Sequence, residues 1–412
     1  MKILMIDKFY FVKGGAERYF FELSHILEKN NHQVIPYSMI HKDNFDTPYD
    51  KYFVDNIDFN TSALQGILQS PKSFMRMFYS VQAKKRLEKL IQDTRPDIAH
   101  LHMIDHQLSP SILHALKKYN IPVIQTVHQY KLVCPNYRLY NMRTQTICEK
   151  CLSGAFYHPI FERCHKDSWA AGLMIALETG FHRMIKIYEK NIDLFHVPSR
   201  FMGKMLRCGG INKQHIEHLY YTINIDDYPV NSSAEDYFVY YGRLAKEKGI
   251  MTLLKSMERV PISHLMIIGN GPQRQALESF VERRKLHNVT FLGIKGGSEL
   301  KSLVSKSKFV VVPSEWYDNS PLVIYESFAM GKPVIGTQLG GIPELVDHET
   351  NGWIYEAGNS DQLSDILQYA LKHPKIIKQF GMKAREKAEK EFSPSFHYSE
   401  IMKKYDRLLG KI

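Results

Sequence analysis

The 412-residue chain contains no apolar run approaching the ~20 residues that a membrane-crossing helix needs, which excludes a helical integral membrane protein. It has no stretch in which basic and aromatic residues interleave as a stripe, so nucleic acid is not an expected partner. Its opening, "MKILMID", reaches an acid too soon to serve as a secretory signal, and a cytoplasmic protein is expected. Cysteine is scarce at five residues, and four of the five fall between positions 134 and 164. What remains is ordinary for a globular protein, with 44% hydrophobic and 24% charged residues. The length exceeds the roughly 250 to 300 residues at which single cores stop growing, so two domains are expected.

The formal net charge of +11 is uneven, because Met1 to Arg200 carries 26 basic against 19 acidic residues and the remainder 28 against 24. Within the more basic half, "SFMRMFYSVQAKKRLEKLI" (Ser73 to Ile91) mixes Phe74, Met75, Met77 and Phe78 with Arg76, Lys84, Lys85 and Arg86. Such a segment suits a phosphorylated acceptor or the inner face of an anionic membrane as a peripheral contact, or else packs its apolar stripe on the core as a solvated helix.

Short runs rich in Val and Ile recur along the chain, each followed by Gly, Ser or Pro and then a helical period. This is the pattern of βαβ units with parallel sheets. Six strands are expected in the first half ("KILMID", "HQVIPYS", "DIAHLHM", "PVIQTVH", "DLFHVPS", "IEHLYYT") and six in the second ("YFVYYG", "HLMIIG", "NVTFLG", "KFVVVPS", "PVIGT", "GWIY"). Two doubly wound α/β domains follow, at 1–225 and 236–392, joined through the polar "IDDYPVNSSAED" (Ile225 to Asp236). Residues 393–412 read as a terminal helix packing back on the first domain.

Ligands of open parallel sheets bind beyond the carboxyl ends of the strands. In those loops Gly14 and Gly15 of "KGGAE" allow close backbone approach, and "RLAKEKG" places Arg243 and Lys248 before a helix start, where cations oppose the dipole and suit an anionic ligand. A surface salt bridge from Arg243 to Glu247 is the plain alternative. Gly269 and Gly271 of "GNGP", and Ile294 in "GIKGG", lie in further permissive turns. The stretch "DNSPLVIYE" separates Asp318 from Glu326 by seven uncharged residues, with Ser320 read as the N-cap and Pro321 as the first residue of a helix. Ionised acids only accept hydrogen bonds, so this pair suits the hydroxyls of a sugar or ribose.

Together these motifs resemble the family-4 retaining glycosyltransferases, two-domain enzymes of the GT-B fold whose Rossmann-like domains face a deep cleft. "PSEWYDNSPLVIYESFAMGKPVIGTQLGGIPELV" is similar to the family's donor block, "YGRLAKEKGI" to its phosphate loop, "GNGP" and "GGAE" to its glycine turns, and "TVHQYKLVCPN" to its N-domain histidine loop. The family usually has Glu where this chain has Asp318. The resemblance implies that Glu326 binds the donor ribose and that Arg243 and Lys248 neutralise the departing diphosphate. It places Asp318 and the backbone of Asn319, Ser320, Pro321 and Leu322 at sugar hydroxyls and phosphate, and Gly15 near the diphosphate. His128 would touch the sugar near the reacting carbon. It implies a retaining, metal-independent transfer from a UDP or GDP sugar to a glycan or lipid-linked acceptor. No Asp-x-Asp is present to hold a divalent ion on a diphosphate, so fixed cations would do that work. A sugar-nucleotide epimerase or a phosphorylase of the same architecture is the competing enzyme reading.

Cys134, Cys148, Cys151 and Cys164 sit in a long segment, 129–168, that follows a strand end and is expected to shape acceptor binding. Their spacing, with a central Cys-x-x-Cys, suits a four-thiolate structural zinc site in a reducing compartment; reduced thiols or disulfides are the alternatives. Cys208 reads as a small buried hydrophobe. His100, His102 and His106 read as lining of the ligand crevice rather than as metal ligands.

Overall fold

The computed structural model describes residues 1–56, 71–231 and 233–411, and only the backbone of residues 71–74. The Phe74 side chain and Ser232, both used in reading the sequence, lie outside the described residues. The chain forms two compact units, one comprising Met1–Tyr220 with His397–Ile412 and the other Tyr221–Phe396. The division falls ahead of Ile225 because Tyr221, Thr222 and Ile223 are already bonded into the second unit. The Ile223 N–H and the Thr222 hydroxyl both donate to the Phe392 carbonyl, at 3.2 and 2.9 Å.

The first unit is built on a parallel sheet of β1 (Lys2–Ile6), β2 (Gln33–Tyr37), β3 (Ile98–Leu101), β4 (Val123–Thr126), β7 (Leu194–Val197) and β8 (Ile216–His218). Between β4 and β7 the 129–168 segment carries a small antiparallel hairpin of β5 (Tyr140–Asn141) and β6 (Thr146–Ile147). The sheet order is β2-β1-β3-β4-β7-β8. Strands β3, β4 and β7 are buried at every residue, as expected of strands covered on both faces, and the polar His100, Gln125, Thr126 and His196 within them are hydrogen-bonded.

The terminal helix Pro394–Leu408 delivers two polar groups to this core. Tyr405 Oη lies 2.7 Å from His100 Nδ1, and His397 Nε2 lies 2.9 Å from Tyr19 Oη. The basic segment read as a membrane candidate forms helices Pro71–Phe78 and Val81–Thr94, and the latter packs Leu87, Leu90 and Ile91 inward. Met77 is buried as well, whereas Met75 is 62% exposed, and Arg86 is held by Asp55 at 3.0 Å.

The second unit holds β9 (Tyr237–Tyr241), β10 (His264–Ile268), β11 (Val289–Gly293), β12 (Val310–Val312), β13 (Val334–Thr337) and β14 (Gly352–Tyr355), all parallel, in the order β11-β10-β9-β12-β13-β14. Phe238, Leu253, Leu265, Ile267, Phe309 and Ile335 fill its centre. In both sheets the first strand is internal and the chain turns to its other side midway. The loops after β1 and β3, and after β9 and β12, therefore splay apart at topological switch points, where open sheets bind ligands.

Candidate active site

The switch point of the second unit brings together the phosphate-loop and donor-block residues. After β9 the chain runs through Arg243 and a short 3-10 turn, Lys246–Lys248, into helix Ile250–Met257. Gly249 adopts φ +67°, and a Cβ there would lie 1.8 Å from the Pro313 carbonyl oxygen, so only glycine lets the β9 loop lie against the β12 loop. Gly269, at φ +138°, stands in the same relation to the Gly242 carbonyl and locks the β10 loop onto the β9 loop. The Leu244 N–H adds a bond to the Asn270 carbonyl at 2.9 Å.

Lys248 Nζ is thereby fixed 2.6 Å from Asp318 Oδ2, which also accepts from Ser314 Oγ at 3.0 Å. The ammonium lies 5.3 Å from the centre of the Trp316 ring. Asp318 is buried, and its carbonyl accepts from the Gly341 N–H at 2.7 Å, tying the β12 loop to the loop after β13. Arg243 pairs with Glu247, so the plain alternative holds for this residue. Its side chain nevertheless remains half exposed while Glu247 is buried beneath it.

Helix Leu322–Ala329 begins one residue later than expected. Pro321 is extended, with ψ 115°, and is itself the cap, while the Ser320 hydroxyl is engaged with Tyr325 Oη at 2.6 Å and caps nothing. Glu326 is buried one turn along, beside Tyr241. Burial, with that carboxylate alongside, pushes the Tyr241 hydroxyl far up, so it stays protonated and donates to the Val323 carbonyl at 2.8 Å. Gly271 packs under this rim against Leu244, whereas Ile294 is largely exposed on the far side of the β10 loop.

The first unit gathers a second set of groups at its own switch point. His102 Nδ1 lies 2.9 Å from His128 Nε2, their rings stack at 5.1 Å, and His100 stacks on His102 at 4.8 Å. His100 and His102 are wholly buried, so the crevice-lining reading is corrected for them. The alternation that puts both on one face aims them at the terminal helix and the Tyr19 helix, and His128 alone of this stack has an exposed edge. Burial pushes His128 and His100 down to about 3, so the rings are neutral at pH 7. His106 lies apart, 3.1 Å from Glu178. Gly14 and Gly15 open the helix Gly15–Lys29.

Reading the sequence did not single out Asp7 and Glu17. Asp7 accepts from the N–H groups of Phe9 and Met103 at 3.0 and 3.3 Å, and burial, with Glu17 nearby, pushes it up to about 8. An acid directly after the buried run Ile3 to Ile6 was the signal available.

In the 129–168 segment Cys134, Cys151 and Cys164 are buried and Cys148 is half-buried; all are free thiols. Among the described residues no three His, Cys, Asp or Glu side chains are grouped as metal ligands, these four included. Backbone N–H groups of Leu139, Arg138 and Asn136 point at Cys134, opposing the upward push of burial on its thiol. Cys208 is exposed, contrary to expectation, because Met202, Met205 and Leu206 take the inward face of its helix.

Two parallel-sheet units, each with polar groups at a switch point, define a GT-B fold. The fold is shared over the full length of both chains with sucrose-phosphate synthase from Thermosynechococcus elongatus, at TM-score 0.73 and 20% identity. It is shared over 99% of this chain and 100% of the other with Anabaena HepE, solved in complex with UDP, at 0.70 and 17%. The family model "Glycosyltransferase Family 4" matches residues 13–227, more than half of the chain, and "Glycosyl transferases group 1" matches 225–387. The chain belongs to glycosyltransferase family 4. Among curated relatives, an uncharacterized glycosyltransferase of Methanocaldococcus jannaschii is 36% identical over 29% of this chain and 32% of its own length. The sulfoquinovosyl transferase of Arabidopsis thaliana is 24% identical over 69% and 56%. The chain thus spans about a third to just over a half of the length of these relatives.

Proposed function

We propose that the protein transfers a sugar from a nucleoside-diphosphate sugar to a carbohydrate or lipid-linked acceptor, with retention and without a catalytic metal. The observation that carries this is the Lys248–Asp318 pair at the switch point of the second unit, on the loop that leads into the helix of buried Glu326. Lys248 and Arg243 supply fixed positive charge where a diphosphate would leave, and the N-termini of the helices at Ile250 and Leu322 add to it. Asp318 and Glu326 accept from sugar and ribose hydroxyls, and the backbone of Asn319 to Leu322 holds sugar and phosphate. His128, neutral and hydrogen-bonded to His102, contacts the sugar. Unit 1 serves the acceptor. The HepE complex with UDP supports a uridine donor, with GDP the other candidate.

The test is product analysis with labelled UDP and GDP sugars and a panel of glycan and lipid acceptors. Free nucleoside diphosphate released in step with glycosylated acceptor is the expected result. An isomerised sugar, or sugar phosphate formed only when phosphate is added, would assign the chain to epimerase or phosphorylase chemistry instead. Thermal shifts with UDP, GDP and ADP identify the base, because a ligand at a hundred times its Kd adds about 2.7 kcal/mol.

The four clustered thiols are proposed as a structural zinc site. Their spacing carries this reading, and the backbone amides at Cys134 partly offset the upward push of burial on its thiol. Protein purified without added zinc is expected to carry about one zinc per chain. No metal and four alkylatable thiols would overturn this.

A further inference from the structure

Helix Trp169–Met184 is amphipathic in the wrong sense for a helix that meets only water. Its hidden side carries Glu178, Thr179 and His182. Glu178 is bonded to Lys131 at 2.7 Å and to His106 at 3.1 Å, and His182 Nε2 lies 2.8 Å from the Phe78 carbonyl oxygen. Burial alone would raise the Glu178 carboxyl, but His106 and Lys131 outweigh it and hold it well below the usual range. The buried charge of this helix is thus satisfied, and its other charged side chain, half-buried Arg183, pairs with Glu189.

Its most exposed arc holds no charge. At roughly 100° per residue, Trp169, Gly180, Leu173, Met184 and Leu177 fall within an arc of about 80°. Trp169 is 58% exposed, Leu177 52% and Met184 73%. The short helix His158–Glu162 lies against this one at Gly172, where a Cβ would meet the Pro159 carbonyl at 2.2 Å, and it adds Phe161 at 73% and Tyr157 at 56% exposure. Five large apolar side chains on two interlocked helices exceed the scatter of single exposed hydrophobics on a protein surface.

The rim is cationic. Residues 138–190 contain eight Lys and Arg against five Asp and Glu, one of which is the buried Glu178, and exposed Lys166, Lys186 and Lys190 stand at the two ends of the helix. We propose that this face docks on an anionic lipid bilayer, with Trp169, Phe161, Leu177 and Met184 in the headgroup–acyl boundary and the lysines on lipid phosphates. A second copy of the chain is a poor occupant, because a two-fold contact would set one basic rim against another in a chain of net charge +11. The surface is independent of the donor-site reading and would stand if that reading failed.

The test is co-sedimentation of the full chain with vesicles of phosphatidylglycerol and phosphatidylcholine in equal parts, and of phosphatidylcholine alone. Binding is expected on the anionic vesicles, weakened by 0.5 M salt, with a blue shift in emission that the Trp169→Phe variant loses. Leu177→Ser combined with Met184→Ser lowers the partition coefficient at least about tenfold, and Lys186→Glu about fivefold or more. These positions are exposed, and an unchanged thermal melt confirms that the variants fold. Absence of binding to anionic vesicles would overturn the proposal. So would variants that bind as the parent does, or concentration-dependent self-association that the same serines abolish.

Discussion

Alanine at Lys248 is expected to lower turnover by a factor of about a hundred or more, the scale set by removing one preorganised electrostatic donor, or about 2.7 kcal/mol of barrier. The ammonium is held by Asp318 at 2.6 Å and by the Trp316 face, so little reorganisation is needed before it meets a departing phosphate. Its removal also leaves the buried Asp318 carboxylate to Ser314, and a modest loss of thermal stability should accompany the kinetic loss. The two effects are separable. Unchanged turnover in a folded Lys248→Ala would contradict the assignment, and a melt far below the parent would mark the pair as structural. Lys248→Arg keeps the charge but replaces a compact head by a fork, and should recover only part of the rate.

A second large effect is expected on acidification. His100 and His397 are wholly buried in the first unit and pushed down to about 3 by burial, and burial drives His102 and His196 down well below the usual value. A depressed histidine binds fewer protons folded than unfolded between the two pKa values. Its contribution to stability is therefore complete above about pH 6.5 and lost as the pH falls toward 3. At pH 5 each of the first two rings costs about 2 kcal/mol, and together they consume much of a stability of about 5 to 15 kcal/mol. The first unit should unfold cooperatively between about pH 6 and 4. Circular dichroism across that range, with denaturant midpoints at each pH, measures it. A midpoint unchanged from pH 7 to 4.5 would show that these rings titrate normally.

Twelve strands stand where the apolar runs placed them, because a strand covered on both faces must be largely apolar and must end at a residue that turns the chain. Arg243 with Glu247 was also readable, being four residues apart on one turn. The errors share one cause. Ser320 fails to cap because Tyr325 takes its hydroxyl, Cys208 is exposed because its helix turns Met205 and Leu206 inward, and His100 is buried because Tyr405 covers it from 305 residues away. Each depends on a neighbour that local pattern does not name. The Tyr140–Ile147 hairpin was missed because two-residue strands carry no period.

The sequence by itself determined the α/β class, the strand positions and the chemistry gathered at the strand ends. These follow from burial and backbone geometry, which act residue by residue. Only the tertiary structure decided that Lys248 meets Asp318 across seventy positions and that the histidines form a neutral buried stack. It alone turned Glu178 and His182 of Trp169–Met184 inward and left Trp169, Leu177 and Met184 exposed. Side-chain pairing over such separations is set by which strands the sheet makes adjacent, and that order is not written in any local stretch of the chain.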